Sequence, residues 1–282
     1  MSKLFFSTVF SLVLLQGIAA QDLEQTLDLA GHYHDMGMHE LASRHYRRVI
    51  FFGSDSIQAS VYPRIAEVQL LAGNYTESIF FFTLASNTSK SDSLRTEYGF
   101  RRVLAYILME QYDFALQQLY SVPDTSRVYF RRKAHFYHGV IALHKEEADL
   151  ARQHFCNAAR DSIQILQVEQ LFDLARLDRP DPGKARKLSM FFPGLGQAYA
   201  GDTRGALNSF LLIGGLGALS FYTAIHYSFL EGAVSIMPWL VRYYLGGFQH
   251  AETTAMAIRD EKYQEMFLEI LTVFSPADGA GL

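Results

Sequence analysis

Histidines are the first residues in this chain whose type and spacing could do chemistry. His32, His34, His39 and His45 crowd into one short stretch, and His135 and His138, three apart, share a helical face. Imidazoles bind transition metals, but a site needs three or four convergent ligands. No His-Glu-x-x-His pattern occurs and no cysteine stands near these histidines. They read as ordinary core and surface residues, and no metal or cofactor is expected. Cys156 is the only cysteine, so no intrachain disulfide can form, and next to Phe155 it reads as a buried structural thiol. No Gly-x-Ser-x-Gly elbow, phosphate loop or dinucleotide fingerprint is present. Gln197, Asp202, Arg204, Glu231 and Arg242 are polar residues in an apolar region. They are of mixed type and lack a nucleophile with an oriented base. A catalytic site is therefore not expected. Arg101–Arg102 and Arg131–Arg132–Lys133 remain: at the starts of helices they could line a groove and hold a peptide carboxylate, or make local salt links to Glu97 or Asp124.

Composition narrows the partners. A net charge of -4 and a pI near 6.2 argue against a nucleic-acid surface, which is normally basic. Charged residues are 19% of the chain, against roughly 25% for a soluble domain. The deficit is local, at the N-terminus and after Leu188.

Between Asp22 and Ser162 the chain repeats itself. A small residue recurs at Ala42, Ser78, Ala115 and Ala151, with gaps of 36, 37 and 36. Four residues later comes a large apolar one: Tyr46, Phe82, Leu119 and Phe155. Three further on stand Val49, Ala85, Val122 and Ala158, and a turn position precedes each set at Gly37, Gly73, Glu110 and Glu146. A small residue lets two antiparallel helices approach, and the large one fills the groove beside it. One pair cannot bury its apolar face, so pairs stack. The pattern resembles the tetratricopeptide repeat in four degenerate units, with a period longer than the usual ~34. The consensus tryptophan is absent, and the Gly-x-Tyr turn is intact only at Gly73–Asn74–Tyr75. Helix pairs are expected over roughly 22–54, 57–88, 93–123 and 127–162. Residues 163–177 would cap the stack, with Ile163, Leu166, Leu171 and Leu174 along one stripe.

Residues 1–20 carry Lys3, an apolar run from Leu4 to Leu15 and small residues at Ala19 and Ala20, a secretory signal pattern. Residues 178–187 hold two prolines, a glycine and several cations and read as a basic linker, suited to lipid headgroups. From Gly205 to Leu230 no Asp, Glu, Lys or Arg occurs over 26 residues, and about 20 are enough to cross a bilayer as helix. Ahead of it stand Pro193, Gly194, Gly196, Gln197, Tyr199, Gly201, Asp202 and Gly205. This string resembles the Pro-Gly-x-Gly-Gln-x-Tyr-x-Gly signature of an uncharacterised membrane domain of bacterial envelope proteins, and of two-helix TM2-like modules. The TM2-like aspartate-rich connector is missing, which favours the former. The resemblance implies a short apolar segment, a tight turn and a hydrophobic helix; it supplies no reaction.

The short segment 188–200 cannot span alone and is expected to be re-entrant or interfacial, packed on the helix over 206–229. Gly194 and Gly196 would meet Gly214, Gly215 and Gly217 in close backbone contact, with Gln197 turned inward to a backbone group or Tyr222. A weaker span is expected over 232–250, kinked at Pro238 and carrying Arg242. The whole membrane module covers 188–254, an amphipathic helix follows over 255–274, and the tail 275–282 is expected to be disordered.

The sequence thus predicts an all-α protein: signal peptide, TPR-like repeats over 21–177, then a helical membrane hairpin. The expected function is non-enzymatic, a membrane-tethered scaffold of a bacterial cell envelope. Its repeats would lie on the exported side and bind a protein or peptide partner. The alternative is an accessory subunit of an envelope assembly or transport complex.

Overall fold

The computed structural model describes residues 23–122 and 127–275. The signal-like segment, Pro123–Asp124 and all of the expected tail beyond Ser275 lie outside them. Among the described residues the chain forms fourteen α-helices and no strand. Sequential helices pack as antiparallel pairs: α1 (Leu23–Asp35) with α2 (His39–Phe52), α3 (Asp55–Leu71) with α4 (Tyr75–Thr88), and α5 (Asp92–Leu108) with α6 (Tyr112–Tyr120). Next come α7 (Val128–His144), α8 (Ala148–Ala158) and α9 (Ser162–Ala175), then α10 (Pro182–Phe191), α11 (Leu195–Ala200), α12 (Thr203–His226), α13 (Phe229–Ser235) and α14 (Met237–Phe274). The chain divides into two compact units, residues 1–141 and 142–282. The division falls inside the stretch read as one repeat domain, 21–177.

Four inter-helix turns are built alike. Gly37, Gly73, Glu110 and Glu146 all have positive φ, between 58° and 79°. In each turn the residue at positive φ donates its N–H three residues back, as Gly37 does to His34 O at 2.9 Å. The next residue donates five back, as Met38 does to Tyr33 O at 2.8 Å. Those bonds satisfy carbonyls a helix end leaves open. Glycine suits the left-handed position; glutamate there costs about 1–2 kcal/mol.

The small and large repeat positions are all buried: Ala42, Ser78, Ala115 and Ala151 at 0% exposure, with Tyr46, Phe82, Leu119 and Phe155 beside them. Ser78 keeps its hydroxyl satisfied by donating to Ala66 O at 2.9 Å.

In the second unit three boundaries differ from the sequence reading. The linker 178–187 is half helix: Asp181 accepts from Lys184 N at 3.2 Å and Pro182 opens α10, where its missing N–H is no loss. Pro238 likewise starts α14 rather than kinking a span. The stretch 232–250 begins in α13, and from Met237 it runs without a break into 255–274 on α14, 38 residues long. The C-terminal half of α14 packs on α8 and α9, burying Met266 and Ile270, with the Phe274 ring 5.9 Å from that of Phe155. Gln164 ties α9 to it through Val273 O at 2.8 Å. The face of α9 turned inward is Val168 and Phe172. Ile163, Leu166 and Leu174, expected on the packing stripe, are exposed. Their spacing fits an amphipathic stripe, but Val168 and Phe172 form an alternative one-turn pair that wins the contact.

Candidate functional site

Two polar constellations stand out, one in each unit. In the first unit the arginines expected to share a groove take different partners. Arg101 on α5 pairs with Glu67 on α3 at 3.1 Å and lies 3.8 Å from Glu97. Arg102, one residue on, turns towards α4 and donates to Thr83 Oγ1 at 3.3 Å. Burial pushes its guanidinium pKa down. Arg131 is exposed and Arg132 half-buried. The cation that joins Arg101 is Lys133, the third residue of the second basic run, and it takes the salt link to Glu97 that the sequence offered as the alternative. Its ammonium is almost fully buried, 2.6 Å from Glu97 and 5.4 Å from the centre of the Phe100 ring. Glu67, Arg101, Glu97 and Lys133 thus link α3, α5 and α7 in one chain of alternating charge. Glu67 and Arg101 are 34 residues apart, and Glu97 and Lys133 are 36, so the repeat period itself aligns them.

A second network in that unit was not foreseen. Gln69, 2% exposed, donates to Ser43 Oγ at 3.0 Å and to Glu77 at 2.5 Å, and accepts from Asn74 Nδ2 at 2.9 Å. Arg47 pairs with the same Glu77. This network floors a cleft of 810 Å³. A glutamine inside α3 carries no sequence signal that separates it from a surface one.

The histidines form no such cluster. The His45 ring stacks on Tyr33 at 5.4 Å, and His34 and His39 lie 6.0 Å apart. Among the described residues no group of three or more His, Cys, Asp or Glu is placed to hold a metal. Cys156, expected to be buried, is only half-buried, and burial, aided by Glu169, pushes its thiol up.

In the second unit Gln197 and Gly196 of the Pro-Gly-x-Gly-Gln string meet Ser189, Ser209 and Gly247 at one hub. Gln197 is fully buried. Its Oε1 accepts from Ser189 Oγ at 2.9 Å, and its Nε2 donates to Ser209 Oγ at 3.1 Å and Gly247 O at 2.8 Å. One amide therefore joins α10, α11, α12 and α14. The Ser189 hydroxyl in turn accepts from Gly196 N at 3.0 Å. Gly196 sits so close to α10 that a Cβ there would lie 1.9 Å from Ala185 O. Gly194 has φ 90°, and its Cβ would lie 2.3 Å from Ala206 O. Pro193 stands in the break between α10 and α11.

Gly201, φ 99°, ends α11 with the same pair of turn bonds as the repeat turns. Asp202 then caps α12 by accepting from Gly205 N at 2.8 Å. The Tyr199 hydroxyl accepts from Asp181 N at 3.2 Å.

One expectation needs correcting here. Gly196 meets α10, not the glycines of α12: Gly214 and Gly215 have open space where a Cβ would be, and Gly217 approaches only Leu240. Gln197 turns inward as expected, and the backbone group it reaches is Gly247 O, with Ser189 and Ser209 as its other partners. The two serines sit in apolar runs, a readable signal; nothing in the sequence points to Gly247, 50 residues away.

Beyond the hub, α12 is uncharged after Arg204, and none of its 24 residues is buried. Among the described residues it is the one helix long and apolar enough, by length and composition, to cross a membrane. The first half of α14 runs back beside it, Leu240 near Gly217 and Gly247 near Ile213. The chain matches no protein-family model, no curated protein and no solved structure.

Proposed function

We propose that this protein is a non-enzymatic, membrane-tethered scaffold of a bacterial cell envelope, in which α12 holds the chain in a bilayer and TPR-like helix pairs bind a protein or peptide partner. The observation that carries the tether is α12 itself. It is a 24-residue apolar helix with no residue buried, attached at its base to a hydrogen-bonded hub. In water such a surface would exceed the few hundred Å² of contiguous apolar patch that soluble monomers expose; in lipid it needs no cover. The binding role rests on the stacked pairs and on the half-buried charges of Glu67, Glu97 and Arg101, which offer polar anchors to a segment laid across α3, α5 and α7.

Alkaline carbonate washing of membranes from cells making the full chain tests the tether. The protein should stay in the pellet, and Leu211→Arg with Leu219→Arg should release it. Full-length protein in the soluble fraction of untreated lysate would end this reading. For the partner, chemical crosslinking in cells should give an adduct that Arg101→Glu weakens while the chain remains in the membrane.

A further inference from the structure

The hub fixes α10 in a particular way against α14. Ala185, near the start of α10, packs with Ala251 and Ala255. Arg186 pairs with Glu252 at 3.2 Å. One turn further, Met190 accepts a hydrogen bond through its carbonyl from Tyr244, and the Phe192 ring stacks on Phe210 of α12 at 5.7 Å. So α10 descends along the hairpin, its start beside the polar stretch of α14 and its end beside the apolar stretch.

Its outer surface is graded the same way. Lys184 and Lys187 are exposed near the start. Phe191 is 89% exposed and Met190 and Phe192 about half exposed at the end. Arg204, in the first turn of α12, adds an exposed cation. Neither Lys187 nor Arg204 has an acidic partner among the described residues. The acids at this level are already engaged: Glu252 with Arg186, and Asp202 at the α12 cap with His250 3.9 Å away.

Cations at one end of a helix, bare aromatic rings at the other, and both in register with a membrane-length helix match the order of a bilayer surface: phosphate first, acyl chain below it.

We propose that Lys184, Lys187 and Arg204 form a collar that binds the headgroups of anionic phospholipid, with Phe191 and Phe192 seated in the acyl layer beneath. The inference rests on the membrane tether proposed above and names the lipid class it prefers. Each cation near an anionic surface contributes about fivefold in association; averaged over all the lipids that touch the hairpin, the collar leaves a several-fold preference.

The test uses the full chain reconstituted in phosphatidylcholine vesicles with a trace of spin-labelled phosphatidylglycerol or spin-labelled phosphatidylcholine. The readout is the motionally restricted fraction of each label. The collar predicts a several-fold preference for the glycerol lipid, lost in about 1 M salt, and reduced towards unity by Lys184→Gln with Lys187→Gln and Arg204→Gln. All three sites are exposed, and unchanged far-ultraviolet dichroism checks the fold of the variant. A preference near one in the unaltered chain, or one that the triple substitution leaves in place, overturns the collar. Carbonate washing of the same vesicles separates the two proposals. Retention without lipid preference sinks the collar alone; loss of the chain from the vesicles sinks the tether and the collar with it.

Discussion

In the helix pairs, neighbours meet through a small residue and, one turn on, a large one: Ala42 with Tyr46, Ser78 with Phe82. Around Gln197 they meet through one side-chain amide with three partners and through glycines at backbone contact distance. The first kind of contact is non-directional. Alanine can become serine at position 78, provided the hydroxyl finds Ala66 O, and tyrosine can become leucine at 119. The second is directional and short-range, so each of its atoms has one acceptable place. The repeats can therefore drift in sequence and keep their shape, whereas the hub cannot. The difference also suits the surroundings proposed for each. Apolar burial drives association in water but gives little between helices in lipid, where close packing and hydrogen bonds take over.

Substitutions can break or sharpen that contrast. The largest effect is expected from Gly196→Leu, because its Cβ would fall 1.9 Å from a backbone carbonyl that cannot yield. The cost should exceed about 4 kcal/mol, seen as protease cleavage within 182–255 and not within 23–122. Phe82→Ala removes a buried ring at 2% exposure and should cost about 3–5 kcal/mol in denaturant unfolding of the repeat helices. Gln197→Leu keeps the volume roughly but strands Ser189, Ser209 and Gly247 O. It should cost about 2–4 kcal/mol, read as a lowered melting temperature in detergent. If leucine there were neutral, the hub would be held by packing after all, and the contrast would vanish. The smallest change has the opposite sign. Glu110→Gly relieves a left-handed non-glycine and should stabilise the first unit by up to about 1 kcal/mol; a loss would show that the Glu110 side chain contributes more than its backbone costs.

Much of the fold is legible because periodicity encodes it. The 36–37-residue spacing located each helix pair to within a few residues, and the turn positions Gly37, Gly73, Glu110 and Glu146 recur even where glycine has been replaced. What could not be read depends on competition between equivalent local signals. Pro182 and Pro238 look like helix breakers in sequence, but each opens a helix; Asp181 caps the first, whereas the second follows Ile236 with no side-chain cap to announce it. The stripe on α9 lost to Val168 and Phe172 because the packing partner, α14, lies some 100 residues downstream. At the hub the sequence pointed to Gln197 and the glycines but not to the surface they press on. Contact with Ala185 rather than Gly215 follows from α10 beginning four residues past Asp178, inside what reads as linker.

The central claim is that α12 lies in a bilayer while its base and its far end reach water. Single cysteines placed along residues 204–229 of the full chain carrying Cys156→Ser, probed in intact membranes with a water-soluble maleimide, test it directly. The account predicts labelling at 204 and again from 227 onward, with protection from 207 to 222 that detergent abolishes. Uniform labelling along the helix, in membranes shown to retain the protein, would contradict it.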